Sequence, residues 1–178
     1  MEKLGGELCP MCKNKTLTLI EDQTEVPYFG KVYMFSMLCS SCNYKQSDVE
    51  AEEQKEPCKV TFTVENEKDL NTRVVKSSNA TIKIPQLRMS VEPGAVSEGY
   101  VSNVEGILER FDGIIKSQME SADEDDEEGD EIRKNGKNLL KKIRKVKFGD
   151  VPLKIIIEDP SGNSAIISQK AVVEKLKK

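Results

Sequence analysis

Two Cys-x-x-Cys pairs constrain this chain more than any other feature: Cys9-Pro-Met-Cys12 and, twenty-six residues on, Cys39-Ser-Ser-Cys42. A Cys-x-x-Cys turn aims two thiolates at one point. Two such turns at the ends of a hairpin place four sulfurs in a tetrahedron, which suits Zn²⁺, a borderline-soft ion with no d-electron preference for geometry. Four protein ligands leave no position for water, so the site is structural rather than catalytic. A redox dithiol would normally stand once, beside a βαβ pattern, and iron in a rubredoxin-like site would use the same four ligands. Between the pairs, Thr16–Ile20 and Val32–Leu38 read as strands, joined by a polar link containing Pro27 and Gly30. That is the layout of a zinc ribbon. Metal binding in small modules of this kind is largely folding free energy, so the ribbon should unfold without its ion.

With 178 residues there is room for a zinc module and a larger domain with its own core. The spacing predicts a ribbon and a polar, acidic linker over 1–56 and a β-rich domain over 57–178. Lys59–Val64 alternates, with Val60, Phe62 and Val64 on one face. Val74 and Val75, Thr81–Ile84 and Met89–Val91 read as further short strands, punctuated by Pro85 and Pro93-Gly94, the texture of a sandwich or barrel. The period then becomes helical, through Val104, Ile107, Leu108, Phe111, Ile114 and Ile115, with Ser102 or Asn103 as the cap. A second helical pattern runs through Ile132, Leu139, Leu140, Ile143 and Val146, weakened at its start by Gly129 and Gly136. Nine of the twelve residues Glu120–Glu131 are acidic, and Arg133–Lys147 holds eight Lys or Arg. This predicts a helical hairpin at about 103–147 with an acidic tip and a basic returning helix. Val151–Glu158 returns to a β pattern, Asp159–Asn163 is a turn, and Ala165–Ser168 reads as the second strand of that hairpin; the tail after Lys175 is expected to fray. The helical hairpin is thus inserted between strands of one sheet system.

Composition removes several functions. The chain has no histidine, so a Ser-His triad and a two-His-one-carboxylate metal site cannot form. Asn135-Gly136-Lys137-Asn138 lacks the first glycine and the Ser/Thr of a phosphate loop. An enzyme is therefore not expected. The net charge is −4, and residues 1–56 carry ten Asp or Glu against six Lys, a ribbon that repels phosphate. The basic helix is the one plausible nucleic-acid footprint, without aromatics for base stacking. A nucleic-acid-associated zinc ribbon of the translation or transcription machinery stays as the alternative function. No apolar run suits a membrane span or a signal peptide, and a metal-bound cysteine set suits a reducing cytoplasm. The fifth cysteine, Cys58, is expected to be a small buried hydrophobe at the start of a strand.

Four segments resemble the ZPR-type zinc-finger protein family: the ribbon with Tyr44 after its last ligand, Asp69–Ser77, Ala80–Leu87 continuing to Glu92-Pro93-Gly94 and Ser102–Gly106, and Glu158–Ser164. They span nearly the whole chain in the family's order. Asn43 replaces the usual glycine after the last cysteine, Gln86 replaces an acidic residue, and one module stands where eukaryotic members carry two, the archaeal form. The resemblance implies a fold that is mainly β: an N-terminal four-cysteine zinc ribbon, then a double-stranded β-helix-like domain with an inserted helical hairpin. It implies one structural zinc. It further implies binding to translation elongation factor one-alpha, preferentially without GTP, and assistance to that factor's folding. The polar residues Arg73, Lys76, Ser77, Asp159, Asn163 and Ser164 of these segments are expected to be exposed and to contact the partner. The rival role for Asp159–Asn163 is turn chemistry, and for Arg73 and Lys76 strand-face charge. The hairpin tip Asp123–Glu128 is a second candidate surface.

Overall fold

The computed structural model describes residues 1–26, 30–52, 55–94, 97–122 and 127–176. Pro27, most of the acidic tip (residues 123–126) and the last two residues of the expected fraying tail lie outside them.

The N-terminal unit is a four-stranded antiparallel sheet in sequence order: β1 (Glu2–Glu7), β2 (Leu17–Val26), β3 (Gly30–Cys39) and β4 (Lys45–Ala51). β2 and β3 pair along their whole length, from Leu17 opposite Cys39 to Val26 opposite Gly30. The ribbon is wider than its two expected strands. β1 holds charges, two glycines and one exposed leucine, Leu4, and so escapes a hydrophobic pattern, and Lys45–Ala51, within the stretch expected to be an acidic linker, is an edge strand.

The second unit packs two sheets and a helical hairpin around one core. The five-stranded sheet has the order β12 (Val172–Lys175), β5 (Cys58–Val64), β10 (Leu153–Asp159), β7 (Thr81–Ile84), β8 (Met89–Val91). β10 arrives after the helices and inserts between β5 and β7, as expected of an interrupted sheet. Its alternation buries Leu153, Ile155 and Ile157 against Val60, Phe62 and Val64 of β5. The three-stranded sheet has the order β11 (Ala165–Ile166), β6 (Arg73–Lys76), β9 (Tyr100–Asn103). Here the expected hairpin is corrected. Ala165 and Ile166 pair with Val75 and Val74, not with β10, because the chain crosses to the other sheet at the Asp159–Ser164 turn. β6 serves two layers: Val74 faces the main core, while Val75 packs with Val32 of the ribbon.

The helices are α1 (Val104–Glu120) and α2 (Glu127–Lys147). Asn103 caps α1, its Oδ1 accepting the Gly106 N–H at 2.8 Å. Val104, Ile107, Leu108, Phe111 and Ile115 form the buried face, with Ile143 and Val146 of α2 in the same core. Gly136, read from sequence as a weak point, marks the close approach of the two helices. A Cβ there would lie 2.4 Å from Met119 Sδ. No helix among the described residues is long and apolar enough to cross a membrane.

Candidate metal centre and buried polar cluster

The four cysteines meet at one end of the ribbon, in two matching knuckles. In the first, Lys13 N–H donates to the Cys9 carbonyl (3.0 Å) and Cys9 N–H to that of Asn14 (2.9 Å). In the second, Asn43 N–H donates to the Cys39 carbonyl (3.0 Å) and Cys39 N–H to that of Tyr44 (2.8 Å). Each knuckle closes with a left-handed residue, Lys13 at φ 61° and Asn43 at φ 57°. Asn43 therefore fills a position that favours glycine, as its sequence context suggests.

All four sulfurs lie within 4.8 Å of one another, with Cys9–Cys42 and Cys12–Cys39 separations of 3.7 Å. A tetrahedron with Zn–S bonds of about 2.3 Å requires sulfurs about 3.8 Å apart, close to the two 3.7 Å separations, so the donor set fits a zinc ion. The Thr16 hydroxyl, 3.2 Å from Cys39 Sγ, leads the groups that lower that thiol to about 6. Cys42 is drawn down by the Tyr44 backbone but is pushed up to about 12 by burial and by its three sulfur neighbours. Four thiols this close do not all ionise by themselves; a divalent cation at their centre makes them do so. Cys9 and Cys39 are fully buried, and Leu17, Leu19, Met37 and Tyr44 pack around them. Thr16 is the contributor that spacing alone does not reveal.

Cys58 begins β5, half-buried against the main core, and burial followed by the charge of Asp159 pushes its thiol up. It has the character of a small hydrophobe, not of an activated nucleophile.

Of the residues expected on a partner surface, Arg73 is exposed and Asn163 partly so, but Lys76, Ser77, Asp159 and Ser164 are buried, a correction to the sequence reading. Asp159 is fully enclosed at the end of β10, and its carboxylate organises the turn. It accepts from Ser161 Oγ (2.6 Å), Ser161 N–H (2.8 Å) and Ser164 Oγ (2.6 Å), while Ser164 Oγ accepts the Ser77 N–H at 3.0 Å. Burial alone would raise this carboxyl, but the hydroxyl and backbone donors outweigh it and hold the group below its ordinary value. The cluster fastens the crossing from β10 to β11 onto the end of β6. Gly162, at φ 69°, lets the turn press against the backbone of Glu56, where a Cβ would stand 2.3 Å from the carbonyl oxygen. Ser161 was missed from sequence, although Asp followed two residues later by Ser is an Asx-turn pattern.

Comparison with known proteins agrees with both units. Residues 6–57 match the model of the ZPR1 zinc-finger domain, and residues 68–177 that of the ZPR1 jelly-roll domain. A ZPR1-like protein of Methanocaldococcus jannaschii is 40% identical over 99% of this chain and 91% of its own length. One of Pyrococcus horikoshii is 42% identical over 96% of the chain and 76% of its own. The zinc finger chaperone zpr1 of Schizosaccharomyces pombe is 35% identical over 89% of this chain, which spans 34% of that protein.

Proposed function

The chain belongs to the ZPR1 zinc-finger family, and from that premise we propose that it is a binding protein for translation elongation factor one-alpha. It takes the nucleotide-free or GDP form and assists the factor's folding in the cytoplasm. The match over nearly the whole chain to a family that includes a named zinc finger chaperone carries this reading. The chemistry of the residues supports a binder over an enzyme. Four of the five cysteines form a closed structural metal set, the fifth has a raised pKa, and the chain has no histidine. Assistance to folding then comes from binding a partly folded client more tightly than its finished, GTP-bound form. The test is calorimetry of the zinc-loaded protein with its host's elongation factor one-alpha, nucleotide-free, GDP-bound and GTP-bound. Tight binding that weakens with GTP is expected; no binding to any form, with zinc still present, sinks the reading.

A second reading has one observation in its favour. Lys134, Lys137, Lys141, Lys142 and Lys145 are all exposed along α2, a basic surface that suits RNA. Salt-dependent affinity for tRNA or rRNA, lost when these lysines become glutamine, would favour it over the protein partner.

A further inference from the structure

Lys76 is 4% exposed, yet its ammonium makes one hydrogen bond among the described residues, to the Ser77 carbonyl oxygen at 2.9 Å. An ammonium has three donors. No carboxylate of the described residues stands within ion-pair distance of it. Asp159 and Asp48 attract it from farther off, but both are committed elsewhere. Asp159 holds its serines, and Asp48 Oδ1 accepts the N–H groups of Gly99 (2.7 Å) and Val49 (2.8 Å). A second cation is close by. Arg110 of α1 lies 4.0 Å from the centre of the Tyr100 ring, and Lys76 Nζ lies 5.7 Å from the same point. Arg110 also makes no ion pair among the described residues. Burial first, and the Arg110 charge after the opposing pull of Asp159, hold the Lys76 ammonium below its ordinary range.

These two cations border a cleft of 570 Å³ between α1, the end of β6 and the outer strand β8. Its apolar lining includes Ile82, Ile107, Phe111 and Ile114. Ser97 and Ser117 add hydroxyl-bearing residues, and Gly99 brings backbone to the wall. Glu98 is the acidic residue of the lining and is paired with neither cation. The site therefore combines excess positive charge, already partly stripped of water, with an apolar wall and scattered polar groups. The apolar wall selects an organic anion over a bare ion. The scattered hydroxyls suit amide groups better than a plain alkyl chain.

We propose that this cleft binds a peptide carboxylate with an apolar side chain beside it, the carboxylate seated between Lys76 and Arg110 and the side chain against Ile114 and the Tyr100 ring, the partly exposed apolar groups of the lining. A carboxylate there supplies acceptors for unused ammonium donors and for the planar guanidinium fork, giving charge-assisted hydrogen bonds. The site is independent of the elongation-factor reading and stands or falls by itself.

The test is amide NMR of the full zinc-loaded chain titrated with N-acetyl-leucyl-leucine, with its C-terminal amide, and with octanoate. The free-acid peptide is expected to shift the amides of Tyr100, Arg110 and Ser117 saturably, with the amide form about tenfold weaker. Lys76→Met and Arg110→Gln should each weaken the free acid by about fivefold or more. Arg110 is exposed, so its variant keeps the test valid even if the buried substitution disturbs the fold. Equal binding of acid and amide, shifts centred elsewhere, or full affinity in Arg110→Gln overturns the proposal. So does binding of none of the probes, and binding of octanoate alone overturns the assignment to a peptide.

Discussion

The ribbon and the jelly roll are both antiparallel β structures, but different forces hold them. Among the described residues, the jelly roll encloses twenty buried ones in one cluster that draws on both its sheets and both helices. The ribbon has strands of ten residues, longer than any described in the jelly roll, yet its own buried cluster holds Leu17 and two zinc ligands. Phe35 and Leu38 stay more than a third exposed on its faces. Strand length therefore says little about stability here. A sheet with no layer packed on most of its surface must be closed by covalent-like bonds at its end, and four metal–sulfur bonds supply them.

The largest expected effect follows from that difference. Removing zinc with a chelator, or replacing Cys39 with serine, should remove on the order of 10 kcal/mol from the ribbon. Hydrogen exchange should then be fast throughout β1–β4 while β5 and β10 stay protected. Continued protection of β2 and β3 without metal would break the comparison. The converse substitution is Phe111→Ala in the jelly roll, expected to cost about 3–5 kcal/mol through the cavity it leaves. It should lower the denaturation midpoint of the β5 and β10 amides with one zinc per chain retained. The two units do meet, through Val32 against Val75 and through Asp48 at Gly99, so a small secondary loss across that seam is expected in each case.

The same difference decides what sequence could reveal. The zinc ligands were legible because thiolate chemistry fixes both residue type and spacing. β5, β7, β8 and the buried face of α1 were legible because each strand alternates between core and solvent and the helix repeats its apolar face at the helical period. β1 and β12 were not, because they are exposed edge strands recruited by backbone pairing rather than by side-chain burial. The pairing of β11 with β6 was hidden for another reason. Two apolar residues after a turn look like a hairpin return, and nothing local says that the turn hands the chain to another sheet. The misplacement of Ser77, Asp159 and Ser164 on the surface has a common cause with this. Polar residues in a turn or at a strand end are ordinarily solvated, and only the mutual hydrogen bonds seen in three dimensions make their burial affordable. Lys76 is a separate case: it ends β6 and is buried with a single hydrogen bond among the described residues, to the Ser77 carbonyl oxygen.

That internal network provides a smaller, pH-dependent test. The Asp159 carboxyl is held below its ordinary value in the fold. Its stabilisation is thus present above the unfolded carboxylate's pKa, about 3.9, and disappears as pH falls through the lower native value. Asp159→Asn should cost about 2–3 kcal/mol at neutral pH, since it loses the charged acceptor of several donors. The difference from the parent protein should shrink on acidification, measured by exchange of the β10 amides. A cost that does not change with pH would mean that shape rather than charge holds the β10–β11 crossing.

The smallest effect compares two asparagines, one in each unit. Asn43 serves the ribbon by its backbone, taking a left-handed conformation so that the second knuckle can close. Asn103 serves the jelly roll by its side chain, ending β9 opposite Arg73 and capping α1 through the Gly106 N–H. Asn103→Ala should cost about 1 kcal/mol, the ordinary value of a lost N-cap. Asn103→Asp should restore most of it, because a carboxylate accepts the same bond and also favours the positive end of the helix. If aspartate were as costly as alanine, the contribution of Asn103 would lie in the β6–β9 pairing instead. The helix would then start where Val104 N–H meets the Thr72 carbonyl oxygen at 3.0 Å, whatever side chain precedes it.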